Sequence, residues 1–213
     1  MKLNLISRRE MIENCIGRGA LVAGVVGMSQ TNLLARWLQG EREAMAPTRL
    51  EVMGPFFKKG APNVRVLRQP RDPGFPLRVT GKVWNTRGQI VTNAVLEIWH
   101  TDFYGNYDLK GYKYRAKLRP DADGSYSVET IMPGHYPDRP AQHIHYLISA
   151  PGHETLVVQA YFATDPFFEG NPDKNYSKQG MVLNREHVRP VTLDEGDGTA
   201  LAAITFDIVL ERS

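Results

Sequence analysis

The chain has 213 residues, a formal net charge of +3 and an apolar fraction of 42%. That length suits one well-buried domain plus a leader and is short for two, and the composition is ordinary for a soluble globular protein. The small positive balance forms no long basic stripe, which argues against nucleic acid as a partner. The single cysteine, Cys15, excludes cysteine-ligated zinc, iron–sulfur clusters and an intrachain disulfide.

Residues 1–46 read as leader and linker. Ser7-Arg8-Arg9-Glu10-Met11-Ile12 resembles a twin-arginine export signal, and the glycine-broken apolar run from Ala20 to Met28 follows it in signal-peptide order. That run is too short to span a bilayer comfortably. The expectation is an exported protein, periplasmic or extracellular, with no stable membrane insertion once the leader is processed; without a working leader it would be cytoplasmic. An amphipathic N-terminal helix is the alternative. Ala44-Met45-Ala46 has the small residues of a cleavage site, although Pro47 should hinder cutting, and Leu34-Ala35 is a second candidate. The twin-arginine route carries proteins already folded around their cofactors, which suits a metalloprotein.

Residues 47–213 read as one all-β domain, an antiparallel β-sandwich with long connecting loops and little helix. Leu77 to Trp84 alternates with period two, and Asn85–Gly88 is a turn. Strands are expected at Ala94–Trp99, Tyr114–Leu118, Ser125–Thr130, His143–Ala150, Thr155–Phe162 and Ala203–Leu210, with a turn at Asp121–Gly124. No stretch after residue 48 has the pattern of a three-turn helix.

His143-Ile144-His145 is the sharpest chemical signal. Histidines at i and i+2 of a strand point to one face and can grip one metal ion. Ile144, Tyr146 and Ile148 then read as core. On the next strand Thr155, Val157, Gln159 and Tyr161 share a face, so adjacency would bring Gln159 near the histidines. Tyr107 and Tyr136 each stand at a turn between strands. Two phenols brought to the same point would make an oxygen-rich, anionic site, which suits hard trivalent iron better than zinc.

The ordered set Gly105-Asn106-Tyr107, Asp123-Gly124-Ser125-Tyr126, Pro133-Gly134-His135-Tyr136-Pro137 and His143-Ile144-His145 resembles the intradiol ring-cleavage dioxygenases, the protocatechuate and catechol dioxygenase family. The resemblance runs over most of residues 50–210. Gly54-Pro55-Phe56-Phe57, Leu96 to Asp102 and Phe206 to Leu210 resemble the family's flanking segments. It implies a mononuclear non-heme Fe(III) held by Tyr107, Tyr136, His143 and His145, a catecholic substrate and O₂. It also implies cleavage between the two hydroxylated carbons to a muconate-type diacid, with Tyr136 as the tyrosine that departs when substrate binds.

Departures from the pattern are specific. The family has an arginine three residues before the first histidine of the pair, beside the substrate ring; here Arg139 stands four before. A local bulge would bring Arg139 to that place; otherwise Gln142 occupies it. Gln159 matches the family's glutamine. The segment from Tyr136 to His143 is short, implying a more open pocket or one closed by another subunit of a homo-oligomer. His135 reads as a loop residue facing solvent or as a partner of the ligands, and His100, His153 and His187 as structural. Two other classes fit parts of the chain. A non-catalytic transthyretin or carboxypeptidase-regulatory module would share the strand pattern without needing both tyrosines and the histidine pair. A cupin would need a glutamate just after that pair, and Glu154 lies too far on.

Overall fold

Strict alternation builds the first long strand. In β1 (Pro76–Asn85), Leu77, Val79, Gly81, Val83 and Asn85 are buried and every residue between them is half-exposed. That is the signature of a strand with one face on a core. The structure, a computed structural model, describes residues 44–136, 141–180, 182–194 and 200–213, which lie in the unit Arg42–Ser213. The leader motifs and Arg139 fall outside the described residues.

Two five-stranded sheets face each other. In the first, β1 pairs antiparallel with β4 (Ser125–Ile131) and parallel with β9 (Leu201–Thr205) and β10 (Ile208–Leu210), and β9 pairs with β8 (Thr192–Asp194). The second has the order β3 (Arg115–Leu118), β2 (Val95–Trp99), β5 (His143–Ser149), β6 (Leu156–Phe162), β7 (Val188–Arg189). Leu77 and Val79 of one sheet meet Leu96, Ile98, Ile144, Tyr146, Ile148 and Phe162 of the other in a single buried cluster. Each such side chain contributes roughly 1.5–3 kcal/mol through burial. Among the described residues helix is confined to α1 (Pro172–Asn175) and short 3-10 turns. Among the described residues no helix is long and apolar enough to cross a membrane.

The β-sandwich class is as expected, with a correction at the C-terminal end. The run Ala203–Leu210 is two strands, not one. Both run parallel to β1 at the same offset, but the ladder breaks between them, where Lys82 N donates to the Asp207 carboxylate instead of to a backbone carbonyl. The sheets are mixed rather than purely antiparallel, because β9 and β10 join β1 in parallel.

His100 ends β2 as a buried neutral imidazole. Nδ1 donates to Thr101 O at 2.7 Å and Nε2 accepts from Thr130 Oγ1 at 2.6 Å. Burial drives its pKa down from 6.5 to about 4. The unfolded chain therefore binds a proton that the folded chain refuses between these values, so stability falls as pH drops from 6.5 towards 4. The loss approaches about 3 kcal/mol at the acid end. Thermal unfolding across this range should show that slope, and His100→Asn should flatten it.

Candidate metal centre

Around β6 and the start of β5 the second sheet is buried on both faces, and its outer face there carries the chemistry. All seven residues of β6 are buried, as are His143 and His145. Since Ile144, Tyr146 and Ile148 occupy the core, alternation sends His143 and His145 to the side away from it. Pairing places His145 opposite Gln159 on one side and Trp99 on the other, and His143 opposite Tyr161. The Trp99 ring stacks on His145 at 4.8 Å with an interplanar angle of 1°, fixing the imidazole plane. His143 Nδ1 is 2.7 Å from Ala141 O. A carbonyl can only accept, so Nδ1 carries the proton and Nε2 presents its lone pair outward.

Tyr107 reaches the same point from the loop between β2 and β3. Its Oη lies 2.9 Å from His145 Nε2 and 3.4 Å from His143 Nε2, and the two Nε2 atoms are 3.1 Å apart. The loop beyond it is built on Asp108, whose carboxylate accepts from the backbone N–H groups of Lys110, Gly111 and Lys113. The Gly111 and Lys113 amides hold that carboxyl below its usual range. Arg115, buried in β3, donates to Phe56 O at 2.8 Å and to Asp108 O at 3.3 Å. Burial lowers the guanidinium's pKa, which nearby Asp108 and Tyr107 oppose. An arginine still stays charged, so its field favours the phenolate form of Tyr107.

Two glycines bring the tyrosines together. Each stands two residues ahead of its tyrosine. A Cβ on Gly105, where φ is +84°, would fall 2.0 Å from His135 O; one on Gly134 would fall 2.3 Å from Phe103 O and 2.4 Å from Gly105 N. Gly134 N also donates to Asp102 O, and Thr101 Oγ1 donates to Gly134 O. With the loops in backbone contact, the Tyr107 and Tyr136 rings sit 5.8 Å apart.

Asp165 ties the far side of the Tyr136 loop. Its buried carboxylate accepts from Gln142 N at 2.7 Å and Phe167 N at 2.8 Å, and His135 Nε2 lies 3.3 Å away. The Gln142 side chain donates to Pro133 O at 2.7 Å, so its amide is committed to the loop backbone.

Residues 51–57 cover the outer face. Phe56 stacks on Tyr107 at 4.3 Å and meets Tyr136 edge-on at 5.3 Å, while Phe57 leans on Trp99. A Cβ on Gly54 would be 3.3 Å from His145 Cε1. Gln159, fully buried, donates from Nε2 to Val52 O, and its Oε1 lies 2.9 Å from Tyr161 Oη, bridging the cover and β6.

The three donor atoms fit a cation. Donors bound to one ion at about 2.1 Å in adjacent positions are about 3 Å apart, and the observed separations are 2.9, 3.1 and 3.4 Å. Lone pairs facing one another so closely repel unless a proton or cation lies among them. No group of three or more His, Cys, Asp or Glu side chains able to hold a metal occurs among the described residues. Phenols must therefore complete any set around the two histidines, and a donor set of phenolates and imidazoles suits a hard trivalent ion.

The sequence pattern led to Tyr107, Tyr136, His143, His145 and Gln159, all of which lie in this neighbourhood. It did not single out Trp99, Phe56, Arg115 or Asp165. Gly-x-Tyr occurs three times before the histidine pair, at Gly105, Gly124 and Gly134, and its first and third copies were the available signal for the glycine contact. Gly105→Ala and Gly134→Ala should each lower stability by roughly 3 kcal/mol or more, from backbone overlap that no rotamer relieves. Gly152→Ala, with nothing within 4 Å of the added carbon, should cost only the left-handed strain of about 1–2 kcal/mol. Chemical denaturation of the three variants checks the contrast.

Comparison with known proteins agrees with this geometry. The profile of the Dioxygenase family matches residues 52–212. Chlorocatechol 1,2-dioxygenase of Rhodococcus opacus is 30% identical over 192 residues, covering 76% of this chain and 72% of that one. Catechol 1,2-dioxygenase of Acinetobacter baylyi is 32% identical over 76% of this chain and 61% of its own length. Among solved structures, the dioxygenase domain of a dioxygenase–carbohydrate-binding fusion from a cellulolytic Streptomyces superposes with a TM-score of 0.66 at 30% identity, over 79% of this chain and all of that one. Catechol 1,2-dioxygenase of Acinetobacter radioresistens, at 22% identity, shares the fold with a TM-score of 0.69 over 86% of this chain and 69% of that one. A non-catalytic sandwich module does not account for these matches: the chain belongs to the intradiol ring-cleavage dioxygenase family.

Proposed function

We propose that the protein is a non-heme Fe(III)-dependent dioxygenase that opens catecholic aromatics between the two hydroxylated carbons to give muconate-type diacids, with Tyr107, Tyr136, His143 and His145 as the iron ligands. The observation that carries this reading is the convergence of Tyr107 Oη, His143 Nε2 and His145 Nε2 within 3.4 Å of one another. The relatives named above as catechol and chlorocatechol 1,2-dioxygenases support the substrate class.

A ferric ion supplies the Lewis acidity and the electronic coupling between catecholate and O₂ that the protein's own groups lack. The protein supplies charge balance and geometry. As phenolates, Tyr107 and Tyr136 would offset two of the three positive charges of a ferric ion held there, and a catecholate dianion would carry the same charge as the two together. A free phenol has a pKa of about 10, so a bound metal would be what ionises Tyr107, with the Arg115 charge favouring the same form. Tyr136 Oη is the atom that takes one of the two catechol protons as it gives way to substrate. The resemblance to the family adds Arg139 and Gln159 to the proposed catalytic set. Trp99, Phe56 and Phe57 keep water from the imidazoles and from Tyr107.

The purified protein should show a broad visible tyrosinate-to-Fe(III) band that shifts on anaerobic addition of catechol, followed by oxygen uptake and a diacid product. A colourless protein that cannot be reconstituted with iron would overturn the reading. His145→Ala should lower kcat by at least about 100-fold and reduce bound iron in the same preparation, since even supporting residues around metals cost 10–100-fold.

We further propose export through the twin-arginine route, on the strength of Ser7-Arg8-Arg9. Arg8→Lys with Arg9→Lys should retain the protein in the cytoplasmic fraction; unchanged export would overturn it.

A further inference from the structure

A buried polar chain begins at the cover and leads away from the site. Glu51 and His187 pair at 2.8 Å, carboxylate to Nδ1, with both side chains 1% exposed. The second carboxylate oxygen accepts from Tyr161 Oη at 3.1 Å, and that hydroxyl also lies 2.9 Å from Gln159 Oε1. Gln159 Nε2 in turn donates to Val52 O at 2.7 Å, and Glu51 N donates to Val157 O at 2.8 Å.

From Leu50 to Phe57, Glu51 is the residue that is buried. Its apolar neighbours do not hold the segment down, since Leu50 is 63% exposed and Val52 58% exposed. Burying a carboxylate while leaving these side chains in water reverses the usual arrangement. It is tolerable only where the carboxyl oxygens are hydrogen-bonded, as they are here. The attachment of the cover to β6 is therefore polar. Three residues on, Gly54 stands against His145, and Phe56 and Phe57 lie on Tyr107 and Trp99.

We infer that Glu51 is a positioning residue, the anchor of a latch formed with His187, Tyr161 and Gln159 that seats residues 52–57 over Tyr107 and His145. It touches neither substrate nor metal and acts through Gly54, Phe56 and Phe57. Its effect on the metal-bound phenolate rests on the functional reading proposed above; its effect on the cover does not.

The test uses the full chain, with Glu51→Ala, Glu51→Gln and the smaller deletion Tyr161→Phe. In metal-free protein, amide exchange in peptides spanning residues 50–58 should quicken about tenfold or more in Glu51→Ala and measurably in Tyr161→Phe, while β1 and β4 keep their protection. Glu51→Gln, which keeps one acceptor oxygen for Tyr161 and can donate from Nε2 to His187 Nδ1 in its other tautomer, should restore much of it. In iron-loaded protein the tyrosinate band should move in Glu51→Ala and return in Glu51→Gln. Unchanged exchange over 50–58, or a rise spread evenly across the molecule, would overturn the latch as a local device. A displaced cover with an unmoved band would overturn its role at Tyr107. A wild-type protein without the band would overturn the functional reading, and the exchange measurement would still decide the latch.

Discussion

The site depends on one strand being needed on both of its faces. β5 must give Ile144, Tyr146 and Ile148 to the core and His143 and His145 to the opposite side. Period-two geometry makes these inseparable: a slip of one residue would put two imidazoles into the sandwich and core side chains such as Ile144 and Tyr146 into the candidate site. The register with β2 and β6 then fixes more than the histidines. It sets Trp99 against one ring and brings Tyr161 and Gln159 opposite the pair. Core packing and site assembly are thus one constraint, and the hydrophobic burial that stabilises the sandwich also orients the imidazoles.

The outer face of a sheet would ordinarily be wet, and a histidine pair there would be a weak, solvent-screened site. Here residues 51–57 and the loops bearing Tyr107 and Tyr136 form a thin second layer. It is held by polar ties more than by apolar area: Arg115 to Phe56 O, Lys58 to the carbonyls of Lys110 and Gly111, Tyr112 to Lys59 O, and Glu51 to His187. Such a layer excludes water from the donor atoms while remaining far less cohesive than the core. That combination suits a site that must admit a planar aromatic molecule.

What the sequence disclosed follows from how near the cooperating residues lie. The strands from β1 to β6 were legible because alternation is local, and His143 and His145 because a spacing of two has one meaning on a strand. Tyr107 and Tyr136 were legible through their ordered company. Glu51 was not, because its partner His187 lies 136 residues away, and His187 read as an ordinary histidine for the same reason. Asp165 was hidden because a lone aspartate before a proline reads as a turn residue. The expected single strand over Ala203–Leu210 missed a side-chain acceptor, Asp207, standing in for a backbone carbonyl, which alternation cannot reveal.

The topology also orders the folding of the molecule in time. β2, β3, β5 and β6 lie within Val95–Phe162, so that even the β2–β5 pairing spans a shorter stretch of chain, whereas β1 needs β9 and β10, more than a hundred residues later. Thr48, just ahead of the cover, bonds to Val209. Closing such distant ladders is entropically slow compared with forming hairpins. The sheet that gathers the histidines and tyrosines can therefore assemble on local contacts, while its lid is fastened only after the C-terminal strands have been made. A ribosome still holding the last residues would carry a nascent chain whose donor atoms are in place and whose cover is still open.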